Sequence, residues 1–239
     1  MKKALVTGGS GIIGSAICEA LANEGLHVLV HANENLDRAK QVVEKIHSAG
    51  QSAETACFDV SDRKATSHHL DNILESGPVQ VLVNNAGIYD DATMAGMSSE
   101  QWDRVIQTTL NGFFNVTHPL LLPMIRSRWG RIISISSITG VAGNRGQTNY
   151  AAAKSGLHGA SKSLSKEVAS RGITVNVVAP GIIQSPSTDE HFSDTDVKNL
   201  IPMKRRGTPQ EIADVVVFLA SKKASYISGQ ILNVNGGMC

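Results

Sequence analysis

Tyr150 and Lys154 stand four residues apart in Asn149-Tyr-Ala-Ala-Ala-Lys154, and Ser137 lies thirteen residues before the tyrosine. On a helix, four residues advance about 400°, so the two side chains share one face on adjacent turns. A phenol ordinarily keeps its proton to about pH 10, too tightly for acid–base work near neutrality. An ammonium one turn away favours the phenolate and is expected to bring that value down. Ser137 follows the strand-like run Arg131–Ser136 and can set a hydroxyl beside the same reacting oxygen. Together these are the parts of a device that moves a proton to or from an oxygen atom. Taken alone, a Tyr-x-x-x-Lys pair is as readily a piece of solvated helix face, so the rest of the chain decides.

Positioning such a device takes a scaffold. Short apolar runs at Ala4–Val6, His27–Val30, Ser52–Phe58, Val79–Val83, Arg131–Ile135, Thr174–Val178 and Gln230–Val234 read as strands. Most are too continuously apolar for a sheet with one wet face. Helical patterns fall near 12–24, 36–49, 62–75, 100–126, 150–169 and 209–220. The last carries its own start signal, with Thr208 as cap, Pro209 in the first turn and Glu211 completing a capping box. This alternation predicts an α/β fold, a single-domain, Rossmann-like, doubly wound parallel sheet of about seven strands with helices on both faces. No repeat or linker divides residues 1–239. The least regular stretch, about 182–206, is expected to be a substrate lid with a short helix near 194–200.

The first strand runs into Thr7-Gly-Gly-Ser-Gly-Ile-Ile-Gly14 and then a helix. Glycines there let the backbone approach a pyrophosphate that the helix amino terminus holds, which points to a dinucleotide. Net charge is +1, from 22 basic and 21 acidic residues, which gives no case for nucleic acid as partner. The three cysteines and eight histidines show no metal-ligand spacing, and no metal is expected. No apolar stretch approaches the roughly 20 residues of a membrane span, and no signal-peptide core follows Met1-Lys-Lys3. A cytoplasmic protein with free thiols is expected.

The glycine-rich turn, Asn84-Asn-Ala-Gly87, Asn111, Ser137, Tyr150, Lys154 and Pro180-Gly181 resemble the short-chain dehydrogenase/reductase family. Within it, Gly143–Asn149 and the terminal run Ser228–Met238 resemble the 3-oxoacyl-[acyl-carrier-protein] reductases. The resemblance implies that Tyr150 is the general acid, that Lys154 tunes it and holds a ribose, and that Ser137 steadies the substrate oxygen. It gives Asn111 as a fourth catalytic residue, interrupting its helix and anchoring a water that leads to the lysine. It implies cofactor contacts from Gly8, Ser10, Gly11, Ile12, Ile13, Gly14, His31, Ala32, Asn33, Asp59, Val60, Asn85, Ala86, Gly87, Tyr150, Lys154, Pro180, Gly181 and Ile183. One departure is local: Gly11-Ile12 stands where short members of the family place another residue and then a glycine.

Ala32 stands where NAD-preferring members carry an aspartate, and His31 and Asn33 can donate hydrogen bonds to a 2′-phosphate. NADP(H) is therefore expected, with NAD(H) possible. The resemblance makes an acyl carrier protein bearing a 3-oxoacyl thioester the expected partner, docked at Arg128 and Arg171, and implies a homotetramer. Two alternatives stay open: a dehydrogenase of small free alcohols, sugars or steroids, and a non-catalytic dinucleotide sensor on the same fold.

Overall fold

Seven β-branched-rich segments form seven parallel strands of one sheet: β1 Lys3–Val6, β2 His27–Ala32, β3 Ala53–Cys57, β4 Val79–Asn84, β5 Gly130–Ile135, β6 Ile173–Pro180 and β7 Ile231–Val234. The computed structural model describes residues 1–239, and its strand order is β3-β2-β1-β4-β5-β6-β7. The order reverses beside β1, which pairs with β2 on one side (Val6 opposite Val30) and β4 on the other (Val6 opposite Val83). In open parallel sheets the crevice outside that switch point is where ligands sit. Every expected strand is present, within a few residues at each end.

Helices cover both faces, as the continuous apolar runs require. They are α1 Ile12–Asn23, α2 Leu36–Ser48, α3 Arg63–Glu75, α4 Ser99–Ile106, α5 Gly112–Ser127, α6 Ile138–Ala142, α7 Thr148–Val168, α8 Pro186–His191, α9 Asp194–Leu200 and α10 Pro209–Ala220. One face of the sheet joins α1, α2 and α10 in a core that includes Ala4, Val6, Ile17, Leu21, Val42, Ile46, Ile212 and Val216. The other packs Leu5, Leu29, Leu70, Leu82, Leu120, Met124 and Ile132 under α3 and α5. The start of α10 follows its sequence signal: Thr208 accepts from the Glu211 N–H, and Glu211 accepts from the Thr208 N–H at 2.8 Å.

Three features depart from the sequence expectation. The helix expected over 100–126 is broken: α4 ends at Ile106, a π-helical turn spans Gln107–Asn111, and α5 follows. A five-residue helix, α6, fills the stretch after Ser137. The segment 182–206 is more ordered than one short helix, because α8 and α9 are each started by a capping box, Ser185 with Thr188 and Ser193 with Asp196.

Candidate active site

The carboxyl ends of β1, β4, β5 and β6 open on a cleft of about 540 Å³ lined by Gly8, Ser10–Gly14, Asn85–Tyr89, Ile135–Ser137, Tyr150, Lys154, Pro180, Gly181, Ile183 and the first turn of α8. Its glycine end is tightly built. Gly8 takes a left-handed conformation (φ +62), and a Cβ on Gly14 would lie 2.1 Å from the Gly8 carbonyl oxygen. No side chain caps α1 at Gly11, so its first N–H groups are free for an anion. Thr7 Oγ1 accepts the N–H groups of both Asn85 and Ala86 at 3.0 Å, while the Asn85 amide donates to the carbonyls of Thr7 and Gly8. The turn after β1 and the loop after β4 are thus knitted together. This donor set and this close-approach cradle fit a dinucleotide, and the departure at Gly11-Ile12 leaves both residues on the cleft wall.

At the other end, α7 turns Tyr150 and Lys154 into the same cleft as Ser137, on the face the spacing predicts. Ser137 ends the β5 excursion and caps α6, accepting the Thr139 N–H at 3.1 Å. Its hydroxyl is close enough to the Tyr150 phenol to draw that group's pKa down. Lys154 is buried, and its ammonium donates to the Ile135 carbonyl at 2.7 Å. Burial alone draws the Lys154 pKa down to about 8.

Tyr150 differs from the expectation in direction. Burial pushes its pKa up, the Ser137 hydrogen bond pulls it part of the way back, and Asp91 and Tyr89 push it further up. Lys154 lies 5.6 Å from the centre of the phenol ring, with its ammonium turned toward Ile135, and desolvation of the phenolate outweighs it. In this state Tyr150 holds a proton to give.

Several expected contacts lie elsewhere. His31 is buried and turned into the fold. Its Nδ1 accepts the Gly8 N–H at 3.0 Å and its Nε2 bonds the Phe58 carbonyl at 2.8 Å, so it is an internal strut, with nothing left for a phosphate. Ala32 is buried and Val60 belongs to the core, whereas Asn33 and Asp59 are exposed. None of these borders the cleft, and the Asp59 carboxylate is taken by the N–H and hydroxyl of Ser61. Asn111 interrupts its helix as expected, but its amide donates to Gln107 Oε1 at 2.6 Å and does not reach the cleft. The side chain that the π turn sends toward Lys154 is that of Thr109, two residues earlier.

Arg128 and Arg171, expected as a docking rim, lie away from the cleft. They precede β5 and β6, at the amino-terminal edge of the sheet, while Tyr150 works at the carboxyl edge. One six-residue strand, roughly 20 Å, separates the two edges. Within the segment 182–206, Arg206 ties α8 to α9, its guanidinium reaching Asp189 at 3.4 Å, Asp194 at 3.5 Å and the Phe192 carbonyl. The Tyr89 hydroxyl meets Ser187 of α8 at 3.1 Å across the mouth.

Residues 2–196 match the family described as short chain dehydrogenase. This chain belongs to that family. The short-chain dehydrogenase is 43% identical over 237 residues to the 3-oxoacyl-[acyl-carrier-protein] reductase FabG of Aggregatibacter actinomycetemcomitans, with 98% of each chain covered. It is 44% identical over 240 residues to the protein of that name from Staphylococcus aureus, covering 99% of this chain and 98% of the relative. A third relative, nodulation protein G of Azospirillum brasilense, is 43% identical over 240 residues with the same coverage. The α/β architecture read from the strand rhythm is the architecture of the family member. No helix is long and apolar enough to cross a membrane.

Proposed function

We propose that this short-chain dehydrogenase reduces the 3-keto group of an acyl thioester to the 3-hydroxy thioester. Bound nicotinamide dinucleotide supplies the hydride that closes on the carbonyl carbon. The chain's own residues handle the oxygen: Ser137 donates a hydrogen bond that holds the carbonyl, and Tyr150 gives its proton to the oxygen as the C=O π bond breaks. A phenol whose pKa is raised by burial is protonated at neutral pH, as a reductive general acid must be. Lys154, dry and cationic below about pH 8, holds positive charge under the developing alkoxide. Gly8, Ser10–Gly14, Asn85–Gly87, Pro180, Gly181 and Ile183 hold the dinucleotide. The observation that carries the reading is the meeting of Ser137, Tyr150 and Lys154 with the glycine cradle in one cleft, in a chain 43–44% identical to 3-oxoacyl-[acyl-carrier-protein] reductases over nearly its whole length.

For the cofactor we propose NADPH. No carboxylate stands at Ala32 to repel a 2′-phosphate, and Asn33 is exposed beside it; His31 no longer enters the argument. For the substrate we propose the thioester carried on an acidic acyl carrier protein, after the names of the relatives. The second reading, a small free carbonyl substrate, is favoured by one observation: the two arginines of the segment 182–206 are engaged, Arg205 by Glu211 and Arg206 by Asp189 and Asp194. The test measures NADPH and NADH oxidation side by side on acetoacetyl thioesters, free and carrier-bound, and on a panel of ketones. Faster reduction of the carrier-bound thioester with NADPH is expected. Turnover confined to free ketones refutes the thioester reading, and equal or better kcat/KM with NADH refutes the cofactor preference.

A further inference from the structure

The amino-terminal edge of the sheet, opposite the cleft, carries a second cavity of about 280 Å³. Lys2, Trp129, Ser221 and Lys222 stand around it, and Leu26 and Val217 give it an apolar wall. Two cations press on the Trp129 indole: the Lys2 ammonium lies 3.2 Å from the ring centroid and the Arg131 guanidinium carbon 4.4 Å. Arg131 is buried, yet no carboxylate pairs with it, nor with Lys2 or Lys222. Its Nε donates to the Ser221 carbonyl at 3.3 Å and its Nη1 to the Gly130 and Gly172 carbonyls at 2.8 and 3.4 Å, which leaves Nη2 without a partner. A cation taken out of water normally keeps a counter-charge, because its desolvation is costly. Here three cations surround one indole and the counter-charge is missing.

We propose that this cavity binds a small amphipathic anion, a carboxylate on a short apolar body. The carboxylate lies between the Lys2 and Lys222 ammonium groups in the field of Arg131, and the body lies against Leu26, Val217 and the indole. The positive field is not cancelled locally: burial and then the charges of Lys222 and Arg131 draw the Lys2 pKa down, with no acid among the causes. Glu24, the one acidic residue at the cavity, is exposed and pairs with no cation. A bare inorganic anion would leave the apolar wall in water, and a neutral hydrocarbon would leave the cations unpaired, so the cavity matches a ligand that has both parts. Its volume sits at the low end of ligand pockets, roughly 300–1,000 Å³, which limits the body to a short one. The site lies a strand's length from Tyr150, and nothing in its argument depends on the reductase reading.

The test titrates hexanoate into the full-length protein by calorimetry. Hexan-1-ol, which has the body without the charge, and inorganic phosphate, which has charge without the body, are the comparisons. The indole N–H of Trp129, one of two tryptophans in the chain and assigned through Trp129→Phe, reports the location by NMR. Saturable one-to-one binding of hexanoate is expected, with a shift of the Trp129 signal and at least tenfold weaker binding of both comparisons. Lys2→Met keeps a stem over the indole and removes the charge; it should weaken hexanoate roughly tenfold, and added salt should weaken it in the parent. Absence of saturable hexanoate binding overturns the proposal. So does hexan-1-ol or phosphate binding as tightly as hexanoate, or hexanoate binding undiminished in Lys2→Met. Should Lys2→Met fail to fold, Lys222→Gln, at an exposed lysine, decides in the same way.

Discussion

Lowering the pH should destabilise the fold through the buried strut beneath the glycine turn. His31 is buried and neutral, with its pKa drawn from 6.5 to about 4 chiefly by burial. The unfolded chain takes a proton on this ring as pH falls through about 6.5, and the native protein refuses it until about 4. A depressed folded pKa therefore gives stability that is present above 6.5 and is lost progressively as pH falls toward 4. From about pH 7 to about pH 5 the loss is about 2 kcal/mol, a sizeable share of a typical 5–15 kcal/mol total stability. Lys154 is silent in this window, because it titrates at about 8 when folded and higher when unfolded.

The comparison protein is His31→Asn, which cannot titrate and leaves at least one of the Gly8 N–H and Phe58 carbonyl groups poorly paired. At neutral pH it should be less stable than the parent by roughly 1–3 kcal/mol. Urea unfolding of both proteins at a series of pH values reads the difference, and groups common to both, such as His158 and the surface carboxylates, cancel. The gap is expected to narrow by about 2 kcal/mol as pH falls from about 7 to about 5. Parallel stability curves would refute the burial argument and with it the strut.

Three further outcomes follow from the site. Tyr150→Phe should abolish nearly all reduction while the dissociation constant of NADPH, read by fluorescence, stays within a few-fold. Gly14→Ala must relieve a contact of 2.1 Å with the Gly8 carbonyl, so NADPH binding should weaken tenfold or more with a melting temperature several degrees lower. Arg206→Met removes the tie between α8 and α9 from a side chain 13% exposed; proteolysis within 182–206 should accelerate and KM for the thioester should rise.

The strands and the convergence of Ser137, Tyr150 and Lys154 on one cleft are legible in the sequence because each rests on a local signal. Short runs of four to eight mostly apolar residues fix a parallel sheet, and a four-residue spacing on one helix fixes a shared face. The misplacements also have physical causes. His31 reads as a polar strand end, but in a sheet covered on both sides no polar–apolar alternation shows which way a side chain points. Asn111 is expected at the site because the family resemblance supplies a fourth catalytic asparagine in a broken helix. A π turn shifts the facing of every residue in it, and spacing along the sequence carries no mark of that shift. Arg128 and Arg171, expected as a docking rim for a carrier, stand just before β5 and β6 at the amino edge of the sheet, and their docking role is a separate matter from the cleft. The two lid helices were written in the sequence as Ser185-Pro186-x-Thr188 and Ser193-x-x-Asp196, short capping signals that loop composition obscured.

Thr7 and Asn85 stitch the turn after β1 to the loop after β4 with four hydrogen bonds. Both ends of a bound dinucleotide therefore rest on one rigid floor whose ordering entropy is lost once, during folding, and is not charged again at each turnover. The floor cannot open stepwise to let a spent cofactor leave. Fewer contacts bridge the other side of the cleft: the exposed Tyr89–Ser187 bond spans its mouth, and Arg206 ties α8 to α9 behind it. Substitutions at Tyr89, Ser187 or Arg206 should therefore change how fast NADPH leaves, read by stopped-flow fluorescence, while Tyr150, Lys154 and the glycine turn stay in place.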